Sequence, residues 1–276
     1  MARYLVYDVF TDRRFGGNPL AVFPDATAIA EADLQRIARE LNLSETTFVT
    51  PGERPRVRIF TPMSEMPFAG HPTIGTAIAL HEEGGPASMV LELGVGPIPV
   101  EIEDGLARFV TTHPLERLAK VAREDAAACL GVAPDQIVGQ PVQASVGAPF
   151  TFAEVAADAL GAVATDVAAF RRCAARYPSS LDFSLMAYVR EGRSVRARMF
   201  APLDGIPEDP ATGSAAAALA ALLAEADGEG GAFAFSQGAE MGRPSEIAVD
   251  VTLEDGRTAA IGVAGRAVRV LEGRLA

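Results

Sequence analysis

"GHPTIGTAIAL", Gly70 to Leu80, reads as the opening of a helix, with Pro72 in the first turn and a run of small apolar residues behind it. "EDPATGSAAAAL", Glu208 to Leu219, repeats the pattern. His71-Pro72-Thr73-Ile74-Gly75-Thr76-Ala77 aligns without a gap on Asp209-Pro210-Ala211-Thr212-Gly213-Ser214-Ala215. The strand-like stretches in front also match, "RIFTP" from Arg58 and "RMFAP" from Arg198, at an offset of about half the 276-residue chain. A third pair, "VEIEDGLARFV" from Val100 and "VTLEDGRTAAI" from Val251, alternates apolar and polar residues around an Asp-Gly turn, the pattern of a β-hairpin. Such a period far exceeds that of a solenoid repeat. The spacing predicts two similar domains facing each other.

Working outward, "RYLVYDVF" and "PLAVF" predict strands on either side of the turn-rich "TDRRFGGN". In "EADLQRIARELN" residues Leu34, Ile37, Ala38 and Leu41 share one helical face. "ETTFVT" and "VRIFTP" return to strand, and Gly84-Gly85 ends the helix that Pro72 opens. The second half offers an outer helix at "AFRRCAARY", strands at "SLMAYV" and "VRARMF", and an Ala-rich helix from Pro210 to just before Gly228. That helix is apolar nearly all round, so it belongs inside the protein, with strands wrapped around it like a barrel. The linker between the domains is expected near "TTHPLERLAK". The expected domains are 1–116, joined by a last strand at about 265–276, and 117–264.

Composition excludes several roles. With 49% hydrophobic and 22% charged residues the chain can bury a large core, and a net charge of −12 repels phosphate backbones and anionic membranes. Neither a nucleic-acid nor a membrane partner is expected. "MARYLVYDVFTD" has no apolar signal core, and the most apolar run, Ala215 to Ala224, is too short to span a bilayer, so a cytoplasmic protein is expected. Cys129 and Cys173 lack pairing or metal-ligand spacing and are read as buried, inert thiols. The three histidines, His71, His81 and His113, form no His-x-x-x-His pair, and the single lysine, Lys120, lies in a charged segment unsuited to a Schiff base. No cofactor or metal is expected. "GVG" at Gly94 to Gly96 runs into Pro97 rather than a helix, which argues against a dinucleotide site.

Helices that point their N-termini into a shared crevice would favour an anionic group there, because their first N–H groups lack intrahelical acceptors. His71 and Asp209 are read as the two N-caps. Aspartate is a common cap, which is the plainer reading of Asp209, whereas histidine caps poorly and its match to an acid across the repeat points to function. Ser214 and Thr76 could bond either local carbonyls or a ligand.

The blocks "YDVFTDRRFGGNPLAVF", "LNLSETTFV", "RIFTPMSEMPFAGHPTIGTA", "FAPLDGIPEDPATGSAAAAL" and "QGAEMGRPS", between Tyr7 and Ser245, together resemble the phenazine biosynthesis PhzF-like family. The resemblance implies an α+β fold like that of diaminopimelate epimerase: two pseudo-symmetric domains, each a barrel-like β-sheet around a central helix. It also implies a homodimer and a cofactor-independent isomerase like the one that acts on trans-2,3-dihydro-3-hydroxyanthranilate. By the motif "LNLSETTFV" the acid/base glutamate is Glu45, which the local pattern alone would class as surface charge. His71 and Asp209 join it as catalytic positions, Asn18, Gly70 and Ser214 are the implied substrate-binding positions, and Gly213 and Thr76 at the helix starts are expected to bind substrate beside them. Glu65 matches a recurrent family acid and is read as a structural hydrogen-bonder to the loop that follows it.

The substrate expected is a small, cyclic, carboxylate-bearing molecule. Related racemases use paired cysteines at the two helix mouths, and here both cysteines lie far from those motifs, which disfavours a two-thiol mechanism. An epimerase or racemase with a non-cysteine base, and a binding or scaffold protein that keeps the cleft, are the alternatives.

Overall fold

The hydrophobic patterning settles into strands and helices as follows in the computed structural model, which describes residues 2–276. Strands β1 (Arg3–Val9) and β2 (Asn18–Phe23) lead to helix α1 (Leu34–Leu41), β3 (Glu45–Thr50), β4 (Arg56–Phe60) and the two-residue β5 (Glu65–Met66). Helix α2 (Gly70–Glu82) follows, then β6 (Ser88–Leu93), β7 (Gly96–Glu103) and β8 (Leu106–Thr111). The second half runs β9 (Glu116–Lys120), α3 (Arg123–Leu130), β10 (Ile137–Ser145), β11 (Pro149–Val155), α4 (Val167–Arg176), β12 (Leu185–Glu191), β13 (Ser194–Ala201) and β14 (Ile206–Asp209). It ends with α5 (Gly213–Asp227), β15 (Gly231–Gln237), β16 (Ser245–Glu254), β17 (Arg257–Gly265) and β18 (Ala267–Arg274). The chain divides into two units, Met1–Val110 with Val263–Ala276, and Thr111–Gly262. The stretch expected as a linker therefore already contains β9.

The two units repeat one topology. In the first, β2 and β3 are parallel across α1, and β4 and β6 are parallel across α2, while β1–β2, β3–β4, β6–β7 and β7–β8 are antiparallel. In the second, β11 and β12 are parallel across α4 and β13 and β15 across α5, with β10–β11, β12–β13 and β15–β16 antiparallel. Both Asp-Gly turns form as read: Asp104-Gly105 and Asp255-Gly256 all take positive φ, as a two-residue hairpin requires.

Helix α2 is buried from Gly70 through Ala79 and touches β1, β2, β3, β6, β7 and β18, so the sheet of its unit curls around it. Close approach requires small residues. A Cβ on Gly75 would stand 2.6 Å from side-chain atoms of both Leu20 and Val9. Helix α5, buried at ten of its positions, is enclosed likewise by β10, β11, β15 and β16. Strand β3 shows how period two serves both faces: Thr47 points to α2, while Phe48 stacks on Phe23 at 4.9 Å and packs with Phe60 under Leu34 and Ala38 of α1. In the second unit α3 and α4 lie together, bringing Cys129 and Cys173, distant in sequence, to 3.4 Å between sulfurs, both buried and unoxidised.

A matched ion pair braces each short strand ahead of a central helix. Arg58 on β4 makes two 2.7 Å bonds to Glu65 on β5, and Arg198 on β13 makes two 2.8 Å bonds to Glu208 on β14. Glu65 is thus structural but binds the strand before it, not the loop after it. Arg198 also donates to the carbonyls of Leu160 and Val163, at 3.0 and 3.2 Å. Removing one partner of a buried pair strands the other charge. Arg198→Met is expected to lower stability by about 3 kcal/mol, and the double change Arg198→Met/Glu208→Leu to recover most of it, as read from chemical denaturation. A double mutant as unstable as the single one would mean the pair does not carry the effect.

Candidate active site

The first unit brings Glu45 and His71 together. Glu45 is the first residue of β3, opposite Leu20 in the parallel β2–β3 pair. It follows α1 closely because Asn42 takes a left-handed conformation and stops that helix. His71 is the second residue of α2, whose Gly75 rests on the same Leu20. The shared contact with Leu20 seats the helix start beside the strand start. Glu45 Oε2 lies 2.9 Å from His71 Nε2, and the residues are 8% and 5% exposed. The approach has the distance of an ion pair without the alignment of a hydrogen bond, and Glu45 Oε2 accepts no aligned hydrogen bond among the described residues. A buried carboxylate oxygen in that setting is costly unless another donor completes it.

Asn18 is fully buried at the start of β2, opposite Val9, and Gly70 is the first residue of α2. The loop leading into Asn18 is anchored by Asp8, buried in β1, which accepts the Phe15 amide at 2.6 Å while Phe15 holds a positive φ. The cap of α2 is Ala69, and the first intrahelical bond runs from the Thr73 amide to its carbonyl, so His71 is not the N-cap. The amides of Gly70 and His71 stand ahead of the hydrogen-bonded turns.

In the second unit Asp209 ends β14, opposite Met199. It is not an N-cap either: α5 begins at Gly213, capped at Thr212, and Pro210 lies outside it. Thr212 makes no side-chain cap bond because its hydroxyl donates to Asp209 Oδ2 instead. Gly213 and Ser214 are the first two residues of α5, and their amides precede its first bond, from the Ala216 amide to the Thr212 carbonyl. Behind this turn stands Gln237 at the end of β15, which bonds Asp209 and Thr212. Its motif, "QGAEMGRPS", carries part of the family resemblance, but the sequence alone assigns Gln237 no role. A glutamine before a glycine at a strand end was the available signal.

Thr76 is fully buried inside α2, and its hydroxyl is 2.9 Å from that of Thr47. Among the described residues no group of three or more His, Cys, Asp or Glu side chains is placed to hold a metal ion.

Residues 7–273 match the family model described as phenazine biosynthesis-like protein, PhzC-PhzF. The chain belongs to that family. It is 36% identical to the trans-2,3-dihydro-3-hydroxyanthranilate isomerase of Pseudomonas aeruginosa over 99% of both chains. With an uncharacterized isomerase of Mesorhizobium japonicum it shares 41% identity over 99% of this chain and 98% of the other. Among solved structures, the phenazine biosynthesis protein of the PhzF family from Bacillus anthracis superposes with a TM-score of 0.88 at 27% identity, covering 100% of this chain and 99% of the other.

The Thr76–Thr47 bond gives a direct test of Thr76. Thr76→Val should cost about 1 kcal/mol, the worth of one buried hydrogen bond, and leave KM unchanged. A stable variant with a raised KM would return Thr76 to the substrate.

Proposed function

We propose that this protein is a cofactor-independent isomerase that moves a proton on a small cyclic carboxylate, with Glu45 as the acid/base. The observation that carries the reading is the buried Glu45–His71 pair, with a carboxylate oxygen that lacks an aligned donor. The named activity of the P. aeruginosa relative supports the reaction class.

In the reaction, Glu45 takes a proton from a substrate carbon; the C–H bond breaks, an O–H bond forms, and the electron pair delocalises into the adjacent unsaturation. Returning the proton at another carbon of the same system shifts the double bond, so nothing is oxidised and no further reactant is consumed. His71, at 2.9 Å, orients the Glu45 carboxylate and meets a polar substituent. Asn18 and Gly70 bind on that side of the substrate. Within the second unit, Asp209, Ser214 and the leading amides of α5 suit a polar, anionic group.

Turnover of trans-2,3-dihydro-3-hydroxyanthranilate in D2O tests the assignment. Glu45→Gln should melt like the parent and lose at least ~100-fold in kcat, the scale of general acid/base catalysis. Equal turnover with matched melts would remove Glu45 from the mechanism. Asp209→Asn and His71→Asn should lower kcat as well as kcat/KM, whereas a rise in KM alone would reduce them to binding contacts.

The same reading takes the molecule to be a homodimer, the commonest closed assembly. Light scattering at micromolar protein should give twice the 28.8 kDa chain mass; the single-chain mass would contradict it.

A further inference from the structure

The turn that carries Asp209 is wired by side chains with no role in the proton transfer itself. Gln237 is 2% exposed, and its side-chain amide makes three bonds. Oε1 accepts from the Thr212 backbone amide at 3.2 Å, while Nε2 donates to the Asp209 carbonyl at 2.7 Å and to Thr212 Oγ1 at 3.0 Å. The orientation of this amide is fixed by its surroundings. A backbone N–H only donates and a carbonyl only accepts, so oxygen must face Thr212 and nitrogen must face Asp209. Thr212 Oγ1 therefore accepts a hydrogen bond from Gln237 Nε2 and keeps its own hydroxyl hydrogen to donate. That hydrogen is donated to Asp209 Oδ2.

The ladder backs the arrangement. Gln237 pairs with Ser245 between β15 and β16, and Ser245 Oγ donates at 2.7 Å to the carbonyl of Pro210. Two ladder partners thus grip consecutive carbonyls, those of Asp209 and Pro210, from behind. On the other side, Arg198 and Glu208 hold β14.

We propose that Gln237 and Thr212 are positioning residues for Asp209: the relay Gln237 to Thr212 to Asp209 Oδ2 fixes the rotamer of the carboxylate. The inference rests on the catalytic role assigned to Asp209 under the proposed function. It extends that role by giving the carboxylate a direction.

The test compares Thr212→Val, which keeps the shape and removes the hydroxyl, with Thr212→Ser, which keeps the hydroxyl, and with Gln237→Glu, which loses the amide donors. Because Thr212 makes no side-chain cap bond, valine removes no cap from α5. On trans-2,3-dihydro-3-hydroxyanthranilate, Thr212→Val and Gln237→Glu should each lower kcat ~10- to 100-fold, the range for a misplaced catalytic group, with KM little changed. Thr212→Ser should recover most of the loss. Full kcat in Thr212→Val beside a damaged Asp209→Asn overturns the relay and leaves the proposed function standing. Full kcat in Asp209→Asn instead overturns the catalytic reading, and the inference with it. A crystal structure of Thr212→Val gives a readout independent of turnover: the Asp209 side chain should leave its present rotamer, and an unmoved carboxylate overturns the proposal.

Discussion

The structure depends on one constraint, that a helix apolar on every side must be covered on every side. Helices α2 and α5 have no polar face to present to water, so each sheet has to contact its helix from strands far apart in the sheet order. Curling a sheet that tightly leaves little room at its axis. Apart from His71 and Pro72, the buried residues on the helices are accordingly Gly, Ala and Thr with a few Leu and Ile, and Gly75 meets Leu20 and Val9 without space for a methyl group. The parallel crossovers follow from the same demand, because each central helix enters from one end of the sheet and the next strand must return beside the last.

Burial of the helices also explains where the chemistry collects. A helix enclosed along its length still has to begin, and its first amides have no partner within it. Short braced strands bring the chain to that point in each unit, β5 tied by Arg58–Glu65 and β14 by Arg198–Glu208. The two units then use the place differently. In the first, His71 lies inside the helix and approaches Glu45 from the neighbouring strand; in the second, Asp209 stays in the ladder and its carboxylate is held by Thr212. Aligned residues therefore occupy different local structures. Gly213 opens α5, while its aligned partner Gly75 lies well inside α2. The ladder bond of Asp209 and the grip of Gln237 and Ser245 keep residues 209–212 out of the helix that the repeat would otherwise extend over them.

Much of this was legible in the chain itself, where periodicity carries the information. The duplication, the strands before each helix, the Asp-Gly hairpins, the amphipathic face of α1 and the enclosed character of α5 are all local patterns, set by spacing and turn chemistry that act within a few residues. The family motifs singled out Glu45, His71 and Asp209. What stayed hidden were partnerships between distant residues. Nothing in "QGAEMGRPS" says that Gln237 reaches back to Asp209, nothing in the spacing of Cys129 and Cys173 places their sulfurs together, and nothing in the spacing of Thr47 and Thr76 sets their hydroxyls within a hydrogen bond. The helix starts were misplaced for the same reason. Proline and aspartate favour a start at Pro210, but side chains from β15 and β16 decide otherwise. Sequence by itself determined which segments form and which faces must be buried, since those follow from the chemistry of neighbouring residues. Only the tertiary structure decided which polar atoms meet, because a hydrogen bond depends on positions in space that many sequence separations can supply.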